Sequence, residues 1–172
     1  MTAAPIHIEP WTDADLALLR RVNTPGMKKH VGGPETEEQL LVRHHRYLGF
    51  VPSGLGCMFR IVLAGEAEPV GTVGYGTRTW QGELVHEMGW NVLPAYQGRG
   101  IAVAAARAAV AEARTAARLR YLHAFPSVDN PASNTVCRKA GFTLVGETDF
   151  EFPAGRWMRS HDWRVDLTAS AQ

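Results

Sequence analysis

Six consecutive residues, Gln97-Gly98-Arg99-Gly100-Ile101-Ala102, have the types and spacing to hold an anion. They follow an apolar stretch stopped by Pro94 and lead straight into an Ala-rich run. A strand that passes through such a turn into a helix is an anion cradle. The first-turn amides of a helix have no internal partner, and the aligned peptide dipoles place partial positive charge there. Gly98 and Gly100 carry no Cβ, so a phosphate can approach those amides closely and a positive φ costs little. A P-loop would need Gly-Lys-Ser/Thr at the helix start, where this chain has Gly100-Ile101-Ala102. A dinucleotide fingerprint would need a small residue at Val103 and an acid about 20 positions on, where the chain reads Leu119-Arg120-Tyr121.

The elements that must position this turn can be read from both termini inward. Ile6-His7-Ile8 alternates as a short strand, and Thr12 N-caps a first helix through Leu16, Leu18, Leu19 and Val22. Thr24-Pro25-Gly26 breaks that helix, and Thr36-Glu37-Glu38 opens a second that runs to about Tyr47. Cys57 to Leu63, Val70 to Tyr75 and Glu83 to Leu93 form an antiparallel meander. In its last strand His86, Met88, Trp90 and Val92 share an apolar face, and Glu87, Gly89 and Asn91 share a polar one. That assignment makes His86 a packed residue rather than a catalytic one.

Ile101 to about Arg118 is dense in Ala and free of Pro and Gly, a strong helix signal. Val103, Ala106, Val110, Ala113 and Ala117 recur at helical spacing, with Arg107, Arg114 and Arg118 on the adjoining edge, a solvated flank for most of them or a contact for a ligand's phosphate. Tyr121 to Phe125 closes a βαβ unit. Asn130-Pro131 starts another helix, whose last turn holds Arg138 and Lys139, and Gly141 sits at its C-cap. Phe142 to Phe152 and Trp157 to Leu167 form the last two strands, joined at Pro153-Ala154-Gly155. The fold class is therefore α/β in the α+β sense, a mixed sheet of about seven strands flanked by about four helices.

Composition sets the outer limits. At 172 residues the chain suits one domain, which buries roughly 70% of the surface its unfolded form exposes. A net charge of +1 gives no electrostatic case for nucleic acid or an anionic membrane. Two cysteines, Cys57 and Cys137, are too few for a disulfide framework, and a reducing cytoplasm is the expected compartment. No apolar run reaches the roughly 18 residues of a membrane span. His44 and His45 are adjacent on a helix, so their side chains point about 100° apart, and no metal ligand set is expected.

The turn pattern Gln97-x-x-Gly100-x-Ala102 resembles the pyrophosphate loop of the GCN5-related N-acetyltransferases (GNAT), and the element order is that family's order. A second motif agrees. Asn130-x-x-Ser133-x-x-Val136-x-x-Lys139-x-Gly141-Phe142 is similar to the signature of the RimJ/RimL-like branch, which acetylates protein N-termini and related amines. The resemblance spans nearly the whole chain, Ile6 to Leu167. It implies a sheet splayed between the fourth and fifth strands, with acetyl-CoA as co-substrate lying in the wedge. By the same resemblance, the amides of Gln97, Gly98, Arg99, Gly100, Ile101 and Ala102 hold the pyrophosphate. The strand edge at Asn91, Val92 and Leu93 pairs with the pantetheine arm and offers an N–H to the thioester carbonyl. Asn130 and Ser133 contact the far side of the arm, and Asn130 also caps its helix.

Acetyl transfer to an amine needs a proton acceptor, donors for the carbonyl oxygen and an acid for the departing thiolate. Glu87 is the candidate base, because it lies on the polar face of the strand entering the cofactor loop and matches the position where many relatives carry Glu. A carboxylate is a weak base for an amine, so either burial or a water relay is expected to assist it. Many relatives place a Tyr four residues before Gly141 (at position 137), where this chain has Cys137, so Ser133 or a water is the candidate acid. Cys137 itself reads as a small buried hydrophobe. The acceptor, a peptide N-terminus or small-molecule amine, is expected to enter near Asn23 to Val31 and Asp149 to Trp157. Asp149 and Glu151 are candidates to attract a cationic amine, and Trp80 or Trp157 to pack on its body. The oligomeric expectation is a monomer or homodimer. The rival readings are a non-catalytic acyl-CoA-binding or sensing domain and an interaction module that keeps only the fold.

Overall fold

The computed structural model describes residues 5–170. The chain runs β1 (Ile6–Pro10), α1 (Leu16–Val22), α2 (Pro25–Lys28), α3 (Glu37–Ser53), β2 (Gly56–Leu63), β3 (Gly71–Trp80) and β4 (Glu83–Val92). It continues through α4 (Ile101–Ala116), β5 (Tyr121–Ala124), α5 (Pro131–Lys139), β6 (Thr143–Glu151) and β7 (Trp157–Asp166). The strands form one seven-stranded mixed sheet in the order β1-β2-β3-β4-β5-β7-β6. Among the described residues no helix is long and apolar enough to cross a membrane.

The expected elements are present, and three boundaries differ for local reasons. Thr24 accepts a hydrogen bond from the Met27 amide with Pro25 at the first helical position, so the expected break is itself a short helix, α2. The second expected helix, α3, does not stop near Tyr47; it continues to Ser53 and ends on Gly54 in the left-handed conformation. β3 extends to Trp80 because Gln81 and Gly82, with φ of 49° and 83°, form a two-residue hairpin turn that sets Trp80 opposite Glu83.

Helices cover both faces of the sheet. On one face α4 lies close to Ile61, Val73 and Met88, because Ala105, Ala106, Ala109 and Ala113 leave no side-chain bulk between helix and strands; all four are fully buried. Of the expected helix stripe, Ala106, Val110 and Ala113 are buried, Val103 is only half-buried, and Ala117 is exposed past the helix end. On the other face Leu18, Leu19, Val22 and Leu40 from α1 and α3 pack with Trp11, Met58 and Leu93. Trp11 also donates its indole N–H to His44 Nδ1 at 3.0 Å, which gives the buried His44 a structural partner.

The site depends on one irregularity of the sheet. β4 and β5 are parallel and register at only two pairs, His86 with Leu122 and Glu87 with His123. Beyond them the strands part, leaving the second half of β4 without a neighbour on that side.

Candidate active site

The turn after β4 has the backbone shape expected from its sequence. Pro94 ends the strand and starts a single 3-10 turn to Tyr96, after which Gly98 and Gly100 adopt φ of 72° and 76°. Both angles lie in the left-handed region that side chains disfavour. The N-termini of α2, α3 and α5 are each capped by a side chain, from Thr24, Thr36 and Asn130. α4 begins on Gly100 with no side-chain cap, so the amides of Ile101, Ala102 and Val103 have no partner within the helix and none from a cap. A sixteen-residue helix thus presents an uncapped, positively polarised end to solvent. Gln97 braces the turn by donating its side-chain amide to the Val92 carbonyl at 2.9 Å, and the Arg99 guanidinium lies over the Tyr96 ring at 5.6 Å.

The free edge of β4 adjoins this turn. Leu93 donates its amide to the Val70 carbonyl at 2.9 Å, toward β3. Backbone groups alternate in direction along a strand, so Asn91 also turns its amide to β3, while Trp90 and Val92 turn theirs to the gap beside β5. This corrects the expected edge. Of the three expected residues only Val92 turns its amide to the gap, Trp90 does so as well, and the Asn91 and Leu93 amides point into the ladder. The Asn91 side chain still lines the gap and donates to Thr72 Oγ1 at 3.2 Å.

The gap opens into a cleft of about 910 Å³ on the α1–α3 face of the sheet. Glu87, Gly89 and Asn91 line its β4 wall, and Ser127, Asn130 and Ser133 line the side that follows β5. Glu87 is not buried alone. Its carboxylate accepts from Arg78 Nη1 at 2.8 Å, and about 29% of the side chain stays exposed. Asn130 Oδ1 accepts from the Ser133 amide at 3.2 Å as a helix cap, and its Nδ2 donates to Ser133 Oγ at 3.1 Å. With that lone pair occupied, the Ser133 hydroxyl proton is free to be donated elsewhere. Cys137 is fully buried in the α4-side core and does not reach the cleft. Burial pushes its thiol up to about 12, which suits a small hydrophobe.

The expected acceptor side is corrected in part. Lys28, Val31, Phe150 and Phe152 line the cleft, as the segments around Val31 and the final hairpin predict. Asp149 and Glu151 do not. Asp149 pairs with Arg159 at 3.3 Å, and Glu151 accepts the Gly155 amide to brace the hairpin turn. Trp157 is 65% exposed, and Trp80 lies behind the cleft with its indole N–H on Asp162. His86 is packed as expected but not satisfied: it is 1% exposed and, among the described residues, neither ring nitrogen has a partner.

Several residues of the cleft escape sequence reasoning. Arg78 reaches Glu87 and also lies 4.2 Å over the Phe150 ring, which stacks on Phe125 at 4.4 Å. Behind Phe125, His123 Nδ1 and Asp162 Oδ1 form a buried contact at 2.6 Å. The register set by the Gln81-Gly82 turn was the available signal for Arg78; the aromatic stack and the buried pair join distant segments and had none.

The family model described as "Acetyltransferase (GNAT) domain" matches residues 6–143. No curated protein matches the chain in sequence. Solved structures share its fold at low identity. The ribosomal-protein-S5-alanine acetyltransferase of Vibrio fischeri superposes with a TM-score of 0.78 at 18% identity, covering 98% of this chain and 96% of that one. The protein yncA of Salmonella typhimurium, with its cofactor acetyl-CoA, gives 0.76 at 21%, covering 97% and 96%. Spermidine N-acetyltransferase of Vibrio cholerae, in complex with CoA and spermine, gives 0.76 at 17%, covering 95% and 96%.

Proposed function

The chain belongs to the acetyltransferase (GNAT) family, and from that premise we propose that it transfers an acetyl group from acetyl-CoA directly to a primary amine, a peptide N-terminus or a small molecule. One observation carries the reading: the uncapped α4 N-terminus, with Gly98 and Gly100 at positive φ, sits at the end of a free β4 edge that leads into the cleft holding Glu87. The pattern suits a long ligand with an anionic middle and an extended amide-bearing arm. The RimJ/RimL-like branch is the finer proposal, supported by the Asn130 to Phe142 motif and by the fold shared with the Vibrio fischeri enzyme.

Each residue has a defined part. The amides of Gly98 to Ala102 hold the pyrophosphate, and Arg99 adds charge at the rim. When bound, acetyl-CoA supplies the acetyl group and a thiolate leaving group. Val92 and Trp90 present amides along the gap, the donors suited to the pantetheine arm and to a developing oxyanion. Glu87, held by Arg78, accepts the ammonium proton of the acceptor through water, and Ser133 donates a hydrogen bond to the leaving thiolate. A thiol with an ordinary pKa near 8.5 makes a good leaving group, so a hydroxyl in place of the family's Tyr is sufficient.

The rival reading, an acyl-CoA sensor without turnover, is favoured only by Cys137 standing where relatives carry the Tyr. A mass measurement separates the two. Incubation with acetyl-CoA and an amine panel yields an N-acetylated product if the proposal holds. Stabilisation by acetyl-CoA with every amine recovered unmodified supports the sensor.

A further inference from the structure

The charge of the cleft wall bears on which amine enters it. The lining carries four cations, Lys28, Arg43, Arg46 and Arg78, against two carboxylates, Glu35 and Glu87. Both carboxylates are already spent: Glu35 on Arg43, and Glu87 on Arg78. Among the described residues, Lys28 and Arg46 enter no ion pair. Both nonetheless lie close enough to Glu35 that, after the Arg43 hydrogen bond, their charges also hold its carboxyl below the usual range. One carboxylate thus answers three guanidinium or ammonium groups at the α2–α3 wall.

The Lys28 ammonium is in keeping with this lining: burial first, and then the neighbouring Arg43 charge, push its pKa down, with Glu35 opposing them. An anion set against this wall would favour the charged form of Lys28 and so offset both effects. Glu38 does not supply it, because its side chain lines only the shallow depression outside the cleft that Arg43 and Arg46 also border. The final hairpin supplies none either, with Asp149 paired to Arg159 and Glu151 to the Gly155 amide. The coenzyme's pyrophosphate cradle is elsewhere, for none of residues 97–102 lines the cleft.

We propose that the acceptor is an acidic amine, a molecule or peptide N-terminus that carries a carboxylate near its reacting amino group, with the carboxylate received by Lys28 and Arg46 and the amine directed to Glu87. The proposal rests on the cleft being the acceptor site of an acetyltransferase. It disfavours polyamines, whose second cation would meet two unpaired positive side chains with no free carboxylate to receive it.

The test compares matched acceptors: a free amino acid against its carboxamide, and the C-terminally amidated tripeptide Ser-Asp-Glu against amidated Ser-Asn-Gln, with a linear triamine as the cationic control. Acid members should be preferred by about tenfold or more in kcat/KM. Lys28→Glu and Arg46→Glu should abolish that preference through the acceptor KM while the KM for acetyl-CoA stays unchanged. Preference confined to the peptide pair identifies an acidic N-terminus, and preference confined to the amino acid identifies a small metabolite; either supports the proposal. Calorimetric binding of the same pairs to the CoA-saturated protein gives the same comparison independently of turnover. Equal use of acid and carboxamide, triamine as the best substrate, or variants that raise only the acetyl-CoA KM would overturn it while leaving acetyl transfer intact. Failure to bind acetyl-CoA would overturn the acetyltransferase reading and this proposal with it.

Discussion

Arg78 Nη1 donates to Glu87 Oε2 at 2.8 Å from the neighbouring strand, and the same guanidinium lies 4.2 Å above the Phe150 ring. The candidate base is therefore held by one ion pair, and the guanidinium that makes it is itself seated on the aromatic stack of Phe150 and Phe125 that lines the cleft.

Glu87→Gln removes the proton acceptor and keeps the shape. We expect kcat to fall on the order of 100-fold or more, with the KM for acetyl-CoA unchanged. Arg78→Ala leaves the carboxylate but frees it to rotate, so kcat should fall less than in Glu87→Gln. Steady-state kinetics over a range of pH checks both, and an unaltered kcat in Glu87→Gln would move the base elsewhere.

Gly100→Val acts on the cradle. A β-branched residue at φ of 76° is strained, and its Cβ occupies the approach to the α4 amides. Acetyl-CoA binding should weaken by about 3 kcal/mol, on the order of 100-fold. Calorimetric titration of a variant shown to be folded by circular dichroism reads this; equal affinity would mean that the phosphates bind elsewhere.

Cys137→Ala tests for covalent chemistry. The thiol is fully buried and pushed up to about 12, so it stays protonated at neutral pH. The variant should keep its kcat and lose about 1 kcal/mol of stability from the small void left behind. Loss of turnover in a folded variant would point to an acetyl-enzyme intermediate.

His86 predicts a pH effect on stability. Burial, then the Arg118 charge, lower its pKa in the folded chain, so the unfolded chain takes up the proton first, near pH 6.5. Stability is unaffected well above that value and is lost as pH falls through it toward the lowered folded pKa. His86→Phe removes the titrating group beside Tyr75, which lies 4.8 Å away ring to ring. The melting temperature of the variant relative to the natural chain should be higher at pH 5 than at pH 7.5. An offset equal at both pH values would contradict the assignment.

The parts legible in the sequence are those fixed by local chemistry. Gly98 and Gly100 declare a turn that needs positive φ, and Asn130, Pro131 and Gly141 mark both ends of α5 through caps that act within a few residues. The Arg78–Glu87 pair was hidden because Gly76 to Trp80 carries no apolar run. Only the hairpin turn at Gln81-Gly82 places the two side chains on adjoining strands. The proposed acceptor wall was hidden for a different reason: Lys28, Glu35, Arg43 and Arg46 meet through the α2 turn and the packing of α3 on β2, which no local pattern encodes. Asp149 and Glu151, expected to face a cationic amine, are instead held within the final hairpin by Arg159 and the Gly155 amide, pairings across the β6–β7 hairpin that the sequence pattern of either strand alone does not encode.

The most direct test of the account is thiol release from acetyl-CoA across a panel of amines that includes short acidic peptides, run beside a thermal-shift titration with acetyl-CoA. The account predicts a saturable rise in melting temperature together with amine-dependent thiol release that Glu87→Gln suppresses. Absence of any acetyl-CoA-dependent stabilisation would contradict the cradle at Gly98 and Gly100, and with it the assignment of acetyl transfer to this site.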